Sequence, residues 1–249
     1  PARPYPGSAG PMMRPLMQSR VDLFTQRIPK GSIVLEVGCS SGYFLDSIKA
    51  DYSCYGNEWN PQDAEHVRDV LGLPCSEERL EDAFPGQKFT CIAAFHVLEH
   101  LADPIEWLKL AKSRLVRGGW IYIEVPNAEA ALVDAYDIEE FKNFWYRQVH
   151  VTYRNMMTLA NAFAVLGMEA RVTQRQDYSL ANHMNWIITG KPMENATVAQ
   201  LPLRPVPEKH PLHHVLNRWW VRVDREYRAM LDSLRAQDTL VGVGRLREV

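Results

Sequence analysis

The sequence lacks the cysteine patterns of metal-binding and disulfide-rich proteins. Four cysteines occur among 249 residues, 15 to 21 positions apart and without a C-x-x-C pair. That spacing matches neither a zinc site nor a dense disulfide framework. We therefore expect free thiols in a reducing compartment. The cysteines are Cys39, Cys54, Cys75 and Cys91.

Long apolar runs are absent as well. The longest ones have the length of strands, and the first twenty residues contain Pro, Gly and Arg in place of a continuous apolar core. Neither a membrane span nor a secretory signal is predicted from this pattern. We expect a cytoplasmic protein.

An excess of charge of either sign is also missing. Lys and Arg number 28 against 30 Asp and Glu, a formal net charge of −2, so the general electrostatic attraction for phosphate is not provided. Trp219 and Trp220 stand among arginines, but Asp224 and Glu226 interrupt that charge and the apolar spacing is helical. We predict no nucleic-acid partner, and a helix packed in the core or in a homodimer contact.

Short apolar runs alternate with amphipathic segments in the first half of the chain. Asn60 and Asp103 each place a capping side chain before a proline, which predicts helices beginning at 61 and 104. The second helix is predicted to run through Leu115 to Gly118. Alternating strands and helices predict an α/β fold with a parallel sheet covered on both faces. The predicted strands are 33–37, 54–56, 89–95 and 120–125.

The apolar spacing in the second half of the sequence predicts a helix at 152–166, a strand at 170–173, a long amphipathic helix at 212–234 and a last strand at 239–243. A sheet needs only a short link between its last strands, so the long segment before 239 is expected to form the substrate side of the site or a subunit contact. The predicted division is 1–30 as N-terminal tail and helix, 31–190 as core, 191–237 as insertion and 238–249 as last strand.

A glycine-containing turn follows the first predicted strand, at residues 38–42. Glu58, at the end of the second strand, can accept both hydroxyl protons of a ribose. Ser40 and Tyr43 replace glycines of the dinucleotide fingerprint, which weakens a pyrophosphate interpretation. A nucleoside carrying an amino acid fits better, because Glu36 can face its ammonium group. S-adenosylmethionine is such a molecule; the alternative is a fold whose glycines merely turn the chain.

Residues 34–42, Glu58 and residues 95–104 resemble the successive motifs of class I S-adenosylmethionine-dependent methyltransferases. The resemblance implies a doubly wound, Rossmann-like sheet of seven strands in the order 3-2-1-4-5-7-6. It also implies an antiparallel last strand preceded by a helical insertion, with the cofactor over the carboxyl ends of the central strands. The cofactor-binding residues that it implies are Gly38, Cys39, Ser40, Gly42, Glu58, Trp59, Phe95 and His96.

Residues 148–153, 178–186 and 190–192 are similar to bacterial methyltransferases associated with polysaccharide and deoxysugar biosynthesis. This second resemblance suggests a sugar or glycoconjugate acceptor. Tyr178 belongs to that segment, and Asn182 and His183 offer donors and acceptors for sugar hydroxyls. The competing interpretation is a surface helix with incidental polar groups.

A hydroxyl acceptor needs a base for its proton, and histidine suits that role near neutral pH. We predict His150 as the general base, with His100 orienting it or acting itself. A histidine that caps or packs against a helix is the alternative for each of them. His210, His213 and His214 lie close together in sequence and are interpreted as part of a solvated helix start, so no required metal is predicted.

The function that these residues favour is methyl transfer from S-adenosylmethionine to a sugar hydroxyl by in-line displacement. C- or N-methylation of another small metabolite stays open, as does a catalytically inactive methyltransferase fold that binds a ligand or protein. Amino-methylation of nucleic acid is disfavoured, because residues 95–98 replace the Asn/Asp-Pro-Pro-aromatic motif of those enzymes.

Overall fold

The computed structural model describes residues 10–193 and 199–247. Seven strands form one sheet in the order β3-β2-β1-β4-β5-β7-β6. Neighbouring strands are parallel except for β7, which is antiparallel to β5 and β6. The predicted order and the antiparallel last strand are confirmed. The strands are β1 (Ile33–Val37), β2 (Ser53–Asn57), β3 (Cys75–Ser76), β4 (Phe89–Phe95), β5 (Leu115–Pro126), β6 (Glu169–Arg175) and β7 (Thr239–Arg245).

Helices cover both faces of this sheet. A π-helical turn (His66–Val70) continues α3, and a 3₁₀ turn (Leu98–His100) follows β4. The helices are α1 (Gly10–Thr25), α2 (Tyr43–Ile48), α3 (Pro61–Glu65), α4 (Pro104–Ser113), α5 (Glu139–Trp145), α6 (Met156–Val165), α7 (Leu180–Thr189) and α8 (His213–Ser233).

The two predicted helix starts are confirmed by their capping hydrogen bonds. The Asn60 side chain accepts from the amide of Gln62, and the Asp103 side chain accepts from the amide of Glu106. Each proline occupies the first helical position, where a missing N–H costs no intrahelical bond. Local chemistry therefore fixes where α3 and α4 begin.

The predicted end of α4 is wrong. The helix stops at Ser113, and Leu115 already belongs to β5. The cause is tertiary, because the Arg114 guanidinium donates to the carbonyl of Leu80 at 2.8 Å and holds the chain as it leaves the helix. Gly118 lies inside β5 with φ 71°, a conformation that glycine adopts without strain.

Other boundaries shift for local reasons. α6 begins at Met156 instead of 152, because Asn155 and Thr158 form a reciprocal capping box. α1 ends at Thr25. The predicted N-terminal tail falls largely on residues 1–9, and part of the predicted insertion falls on 194–198, both outside the described residues.

Apolar residues fill both faces of the sheet, as a covered parallel sheet requires. On β1, Leu35 packs with one buried cluster and Val34 with the other, because successive side chains of a strand point to opposite faces. All four cysteines are buried free thiols, as predicted. This core holds the carboxyl ends of the parallel strands at one edge of the sheet.

Candidate active site

Two cavities open at the carboxyl ends of the parallel strands and share His100 in their walls. The first, of about 710 Å³, lies beside the ends of β1 and β2; the second, of about 260 Å³, lies beside β4, β5 and β7. Ser40 and His96, in the segments after β1 and β4, have φ 48° and 56°. Non-glycine residues with such strained backbone cluster at ligand sites.

Glu58 lines the first cavity. Its Oε2 accepts from the Ser40 amide and its Oε1 from the Asn60 amide, both at 2.8 Å. A carboxylate offers about four acceptor positions, so two remain for the paired hydroxyls of a ribose. Trp59 lines the same cavity and is 69% exposed, which leaves its ring accessible to a planar base.

The amides at the start of the glycine turn are occupied by hydrogen bonds within the chain. The amides of Gly38 and Cys39 donate to the carbonyl of Asn57, and the Ser40 amide donates to Glu58. Gly38 has φ 73°, and a Cβ there would lie 2.8 Å from the side chain of Val97. The turn therefore shapes the cavity wall and positions Glu58.

Gly42 serves packing at the start of α2. Its φ is 74°, and a Cβ would meet the side chains of Leu71 and Val67 at 2.7 and 2.9 Å. Cys39 is buried with its sulfur 3.9 Å from that of Cys75. These two predicted cofactor residues lie behind the cavity wall.

Glu36 is buried on β1, and burial raises its pKa well above the usual range. Its Oε2 has no hydrogen-bond partner among residues 10–193 and 199–247. That this carboxyl group faces an ammonium group of the cofactor stays a prediction. Phe95 is buried nearby, with the Arg20 guanidinium 4.2 Å from its ring centroid. Glu36, Gly42, Cys39, Ser40 and Phe95 stand outside the residues that line the two cavities.

The second cavity brings together residues from distant parts of the chain. Its wall combines carboxylates, histidines, an arginine and aromatic rings. The lining residues are His96, Glu99, His100, Pro126, Phe144, Trp145, Arg147, His150, Asp177, Tyr178, Gln200, Asp238 and Thr239.

His150 is half-buried in this wall and its Nδ1 lies 2.7 Å from the hydroxyl of Tyr153. That hydroxyl donates its hydrogen to the carbonyl of Trp145 and accepts from the amide of Arg147. It can therefore only accept from His150, which assigns the hydrogen to Nδ1 and the lone pair to Nε2. Burial lowers the pKa of His150, which favours this neutral form.

His100 stands beside His150, with ring centroids 4.7 Å apart in an edge-to-face arrangement. Its Nδ1 donates to the carbonyl of Val149 at 2.9 Å, so its lone pair also lies on Nε2. The backbone connects the same segments, because the Val151 amide donates to the carbonyl of Glu99 at 2.6 Å. The structure thus brings the two predicted catalytic histidines together.

The predicted acceptor-binding residues separate into two groups. Tyr178 lines the second cavity, whereas Asn182 and His183 are buried on α7. Gln176 Nε2 donates to His183 Nε2 at 3.1 Å, and His183 Nδ1 donates to Tyr227 at 2.7 Å. Both ring nitrogens of His183 are therefore occupied in joining β6, α7 and α8.

A buried ionic network lies below the second cavity. Glu124 on β5 is fully buried and bonds to the guanidinium groups of Arg175 and Arg20. Arg175 also binds Asp177 at 2.6 Å. Burial and the neighbouring Asp177 carboxylate raise the pKa of Asp238 to about 7. Asp177 and Asp238, two of the three carboxylates in the cavity wall, thus have pKa values shifted in opposite directions.

Sequence reasoning missed Glu99, which lines this wall, and Tyr153, which holds the His150 ring. The signal for Glu99 was present, because it stands between His96 and His100 in one short turn. Tyr153 follows His150 by three residues, but nothing in the sequence indicates its hydrogen bond to that ring.

Among the described residues, no helix is long and apolar enough to cross a membrane.

Comparison with known proteins agrees with this architecture. A family model described as "Methyltransferase domain" matches residues 12–171. None of the curated proteins matches the chain. An S-adenosylmethionine-dependent methyltransferase from Archaeoglobus fulgidus is similar in structure, with a TM-score of 0.59 at 18% identity over 93% of this chain and 94% of that one.

Two further solved structures share the fold. A methyltransferase from Thermotoga maritima has a TM-score of 0.61 at 16% identity, over 97% of this chain and 94% of that one. A plantazolicin methyltransferase, solved with a desmethyl plantazolicin analogue and SAH, has a TM-score of 0.55 at 14% identity, over 98% and 88%. The family match covers more than half of the chain, and the strand order agrees with it. The chain therefore belongs to the methyltransferase domain family and is an S-adenosylmethionine-dependent methyltransferase.

Proposed function

We propose that this enzyme methylates a hydroxyl group of a sugar or glycoconjugate. The observation that carries the proposal is the second cavity, which adjoins the cofactor cavity at His100 and is lined largely by polar side chains. Asp177, Asp238 and Tyr178 offer hydrogen-bonding groups suited to several hydroxyls, and Trp145 provides an aromatic surface for a sugar ring. The resemblance of residues 148–153, 178–186 and 190–192 to polysaccharide-associated methyltransferases supports the same acceptor class.

The first cavity is proposed to hold the cofactor, with Glu58 on the ribose hydroxyls and Trp59 beside the adenine. S-adenosylmethionine supplies an electrophilic methyl group on a sulfonium sulfur. The protein has to place the acceptor oxygen in line with that methyl group, which can account for much of the acceleration. His100 stands where the two cavities meet, and His96 lines the second cavity.

The acceptor hydroxyl has to lose its proton, and His150 is proposed to receive it. Its Nδ1–H is held by Tyr153, so the lone pair on Nε2 is available to a proton from the cavity. His100 fixes the same region through its bond to the Val149 carbonyl. The two histidines therefore stand side by side, each with its Nδ1 bonded to an oxygen atom.

The long segment before β7 is proposed to contribute to the acceptor side. Gln200 lines the second cavity, and the Arg228 guanidinium on α8 holds its carbonyl at 2.8 Å. Asp224 on the same helix accepts from the Leu180 amide at 2.7 Å. The predicted homodimer contact stays a prediction, with Trp219 45% exposed on α8.

C- or N-methylation of another metabolite remains the alternative within the same enzyme class. An amine acceptor needs no strong base, so it leaves the paired histidines without a purpose. The plantazolicin methyltransferase shares this fold with a peptide-derived ligand analogue, so the fold itself does not restrict the acceptor to sugars.

The proposal is tested with isotopically labelled S-adenosylmethionine and a panel of nucleotide sugars, oligosaccharides and small amines. We expect label in a methyl ether, located by mass spectrometry and NMR. Glu58→Ala serves as a control that impairs cofactor binding. Transfer only to amines or carbon, or none from a protein that binds the cofactor, contradicts the proposal.

A further inference from the structure

We propose that Glu99, His100 and His150 bind one divalent transition-metal ion in the wall of the second cavity, here called the acceptor cavity. A carboxylate oxygen of Glu99 and one ring nitrogen of each histidine lie within 4.8 Å of one another. Donor atoms around a tetrahedral zinc ion are about 3.3 Å apart. Bringing the donor atoms to that separation shortens the distances between them by at most about 1.5 Å, which small side-chain rotations can provide.

Glu99 supplies the observation that points to a cation. The residue is 2% exposed, and neither carboxylate oxygen has a hydrogen-bond partner within the described part of the chain. His96 Nδ1 lies 3.4 Å from Oε1 of Glu99, outside hydrogen-bonding geometry. It can stabilise at most one of the two carboxylate oxygens. Buried carboxylates are paired or bind metal ions, so this one is incomplete without a cation.

The two histidines are oriented as metal ligands usually are. Their Nδ1–H groups donate to the Val149 carbonyl and to the Tyr153 hydroxyl, leaving a lone pair on each Nε2. Histidine ligands commonly donate their other N–H to a carbonyl or another oxygen, which fixes tautomer and ring direction. Here both of these supporting hydrogen bonds are present.

The donor set indicates which ions fit. Two imidazoles and one carboxylate suit Zn²⁺, Co²⁺ or Mn²⁺ better than Mg²⁺ or Ca²⁺, which prefer oxygen ligands. Three protein ligands leave at least one position open, and all three residues line the acceptor cavity. An acceptor hydroxyl can occupy that position.

The expectation that no metal is required rested on a different group of histidines. His213 and His214 line a separate groove with four arginines, where positive charge opposes a cation. The arginines are Arg204, Arg218, Arg222 and Arg225. The histidines at 100 and 150 are 50 residues apart in sequence, so their shared site with Glu99 is visible only in the fold.

This inference rests on the proposed O-methylation and changes how the proton is lost. With an ion bound, the histidine lone pairs hold the ion, and the ion lowers the pKa of the acceptor hydroxyl that binds it. The proton passes to water, the oxygen forms a bond to the methyl carbon, and the carbon–sulfur bond breaks with its electron pair going to sulfur. No further reactant is needed.

The site is tested on the full chain after treatment with a chelator, by titrating Co²⁺ and following its visible absorption. We expect one equivalent to bind. Glu99→Gln and His150→Gln should each weaken binding by more than about 100-fold, because loss of an outer-shell partner alone costs about 10- to 100-fold. Tyr153→Phe, which removes only such a partner, should fall within that smaller range.

Replacement of His213 and His214 together by Ala is the matched control and should leave Co²⁺ binding unchanged. Circular dichroism and calorimetry with S-adenosylmethionine establish that each variant is folded. Absence of Co²⁺ binding in the wild type, or undiminished binding in Glu99→Gln and His150→Gln, overturns the site.

Activity separates this inference from the proposed function. Hydroxyl methylation that stops on chelation and returns with Co²⁺, Mn²⁺ or Zn²⁺ supports both. Undiminished hydroxyl methylation by the ion-free chain overturns the role of the ion and leaves O-methylation standing. Stoichiometric ion binding with transfer only to amines overturns O-methylation and leaves the site standing.

Discussion

The proposed cofactor half of the site, around Glu58 and the first cavity, and the proposed acceptor half, around the second cavity, are built in different ways. In the cofactor half, the segment after β1 and Glu58 after β2 hold each other through the Ser40 amide, 18 residues apart. In the acceptor half, Arg175 donates to Glu124, 51 positions away in sequence, and Gln176 donates to Asp238, 62 positions away. The first half depends on local strand–turn geometry, and the second depends on buried polar contacts between distant segments.

The largest expected effect is on catalysis in the acceptor half. His150→Gln should lower turnover by about 10²- to 10⁴-fold, the range for losing a positioned acid–base group, while cofactor affinity stays unchanged. Steady-state kinetics and calorimetry measure the two quantities. His210→Ala, which removes an exposed histidine, is the control. A His150→Gln enzyme with near-normal turnover removes this residue from the mechanism and leaves His100 as the next candidate.

The buried network should make the acceptor half sensitive to loss of charge. Glu124→Gln removes the partner of Arg175 and Arg20, so the free energy of unfolding should fall by about 3–5 kcal/mol. Glu169→Gln breaks an exposed pair with Arg247 on the same sheet and should cost less than about 1 kcal/mol. Urea unfolding measures both. Equal effects of the two substitutions contradict this distinction.

The cofactor half is tested by Glu58→Ala. Loss of the paired hydroxyl contacts should weaken S-adenosylmethionine binding by about 1–3 kcal/mol, which is about 5- to 150-fold. Calorimetry measures the affinity, and Glu65→Ala on the exposed side of α3 is the control. Unchanged affinity in Glu58→Ala shows that the ribose lies elsewhere.

A smaller effect concerns pH and the acceptor half alone. Burial lowers the pKa of His183 to about 3, so the unfolded chain binds a proton below about pH 6.5 that the folded chain does not. Stability should therefore fall as pH drops, by about 1 kcal/mol from pH 6.5 to 5.5. His183→Gln should remove this part of the slope in urea unfolding at the two pH values. An identical slope in the variant assigns the pH dependence to other groups.

The sequence alone determined most of the cofactor half. Strand bounds at 33–37 and 89–95, the helix starts at 61 and 104, and the pairing of the glycine turn with Glu58 follow from short-range patterns. Hydrophobic periodicity and capping act within a few residues, so they can be recognised in the sequence before the fold is known. The same reasoning failed at the end of α4, where Arg114 reaches a carbonyl on another segment.

Only the tertiary structure decided how the acceptor half is assembled. It placed Glu99 and His100 against His150, separated His183 from the cavity, and put Asp177 beside Asp238. Which lone pairs are free on His100 and His150 depends on the Val149 carbonyl and the Tyr153 hydroxyl, and no sequence pattern specifies those bonds. The physical reason is that a buried polar group is defined by its partners, and here most of those partners come from strands and turns far apart along the chain.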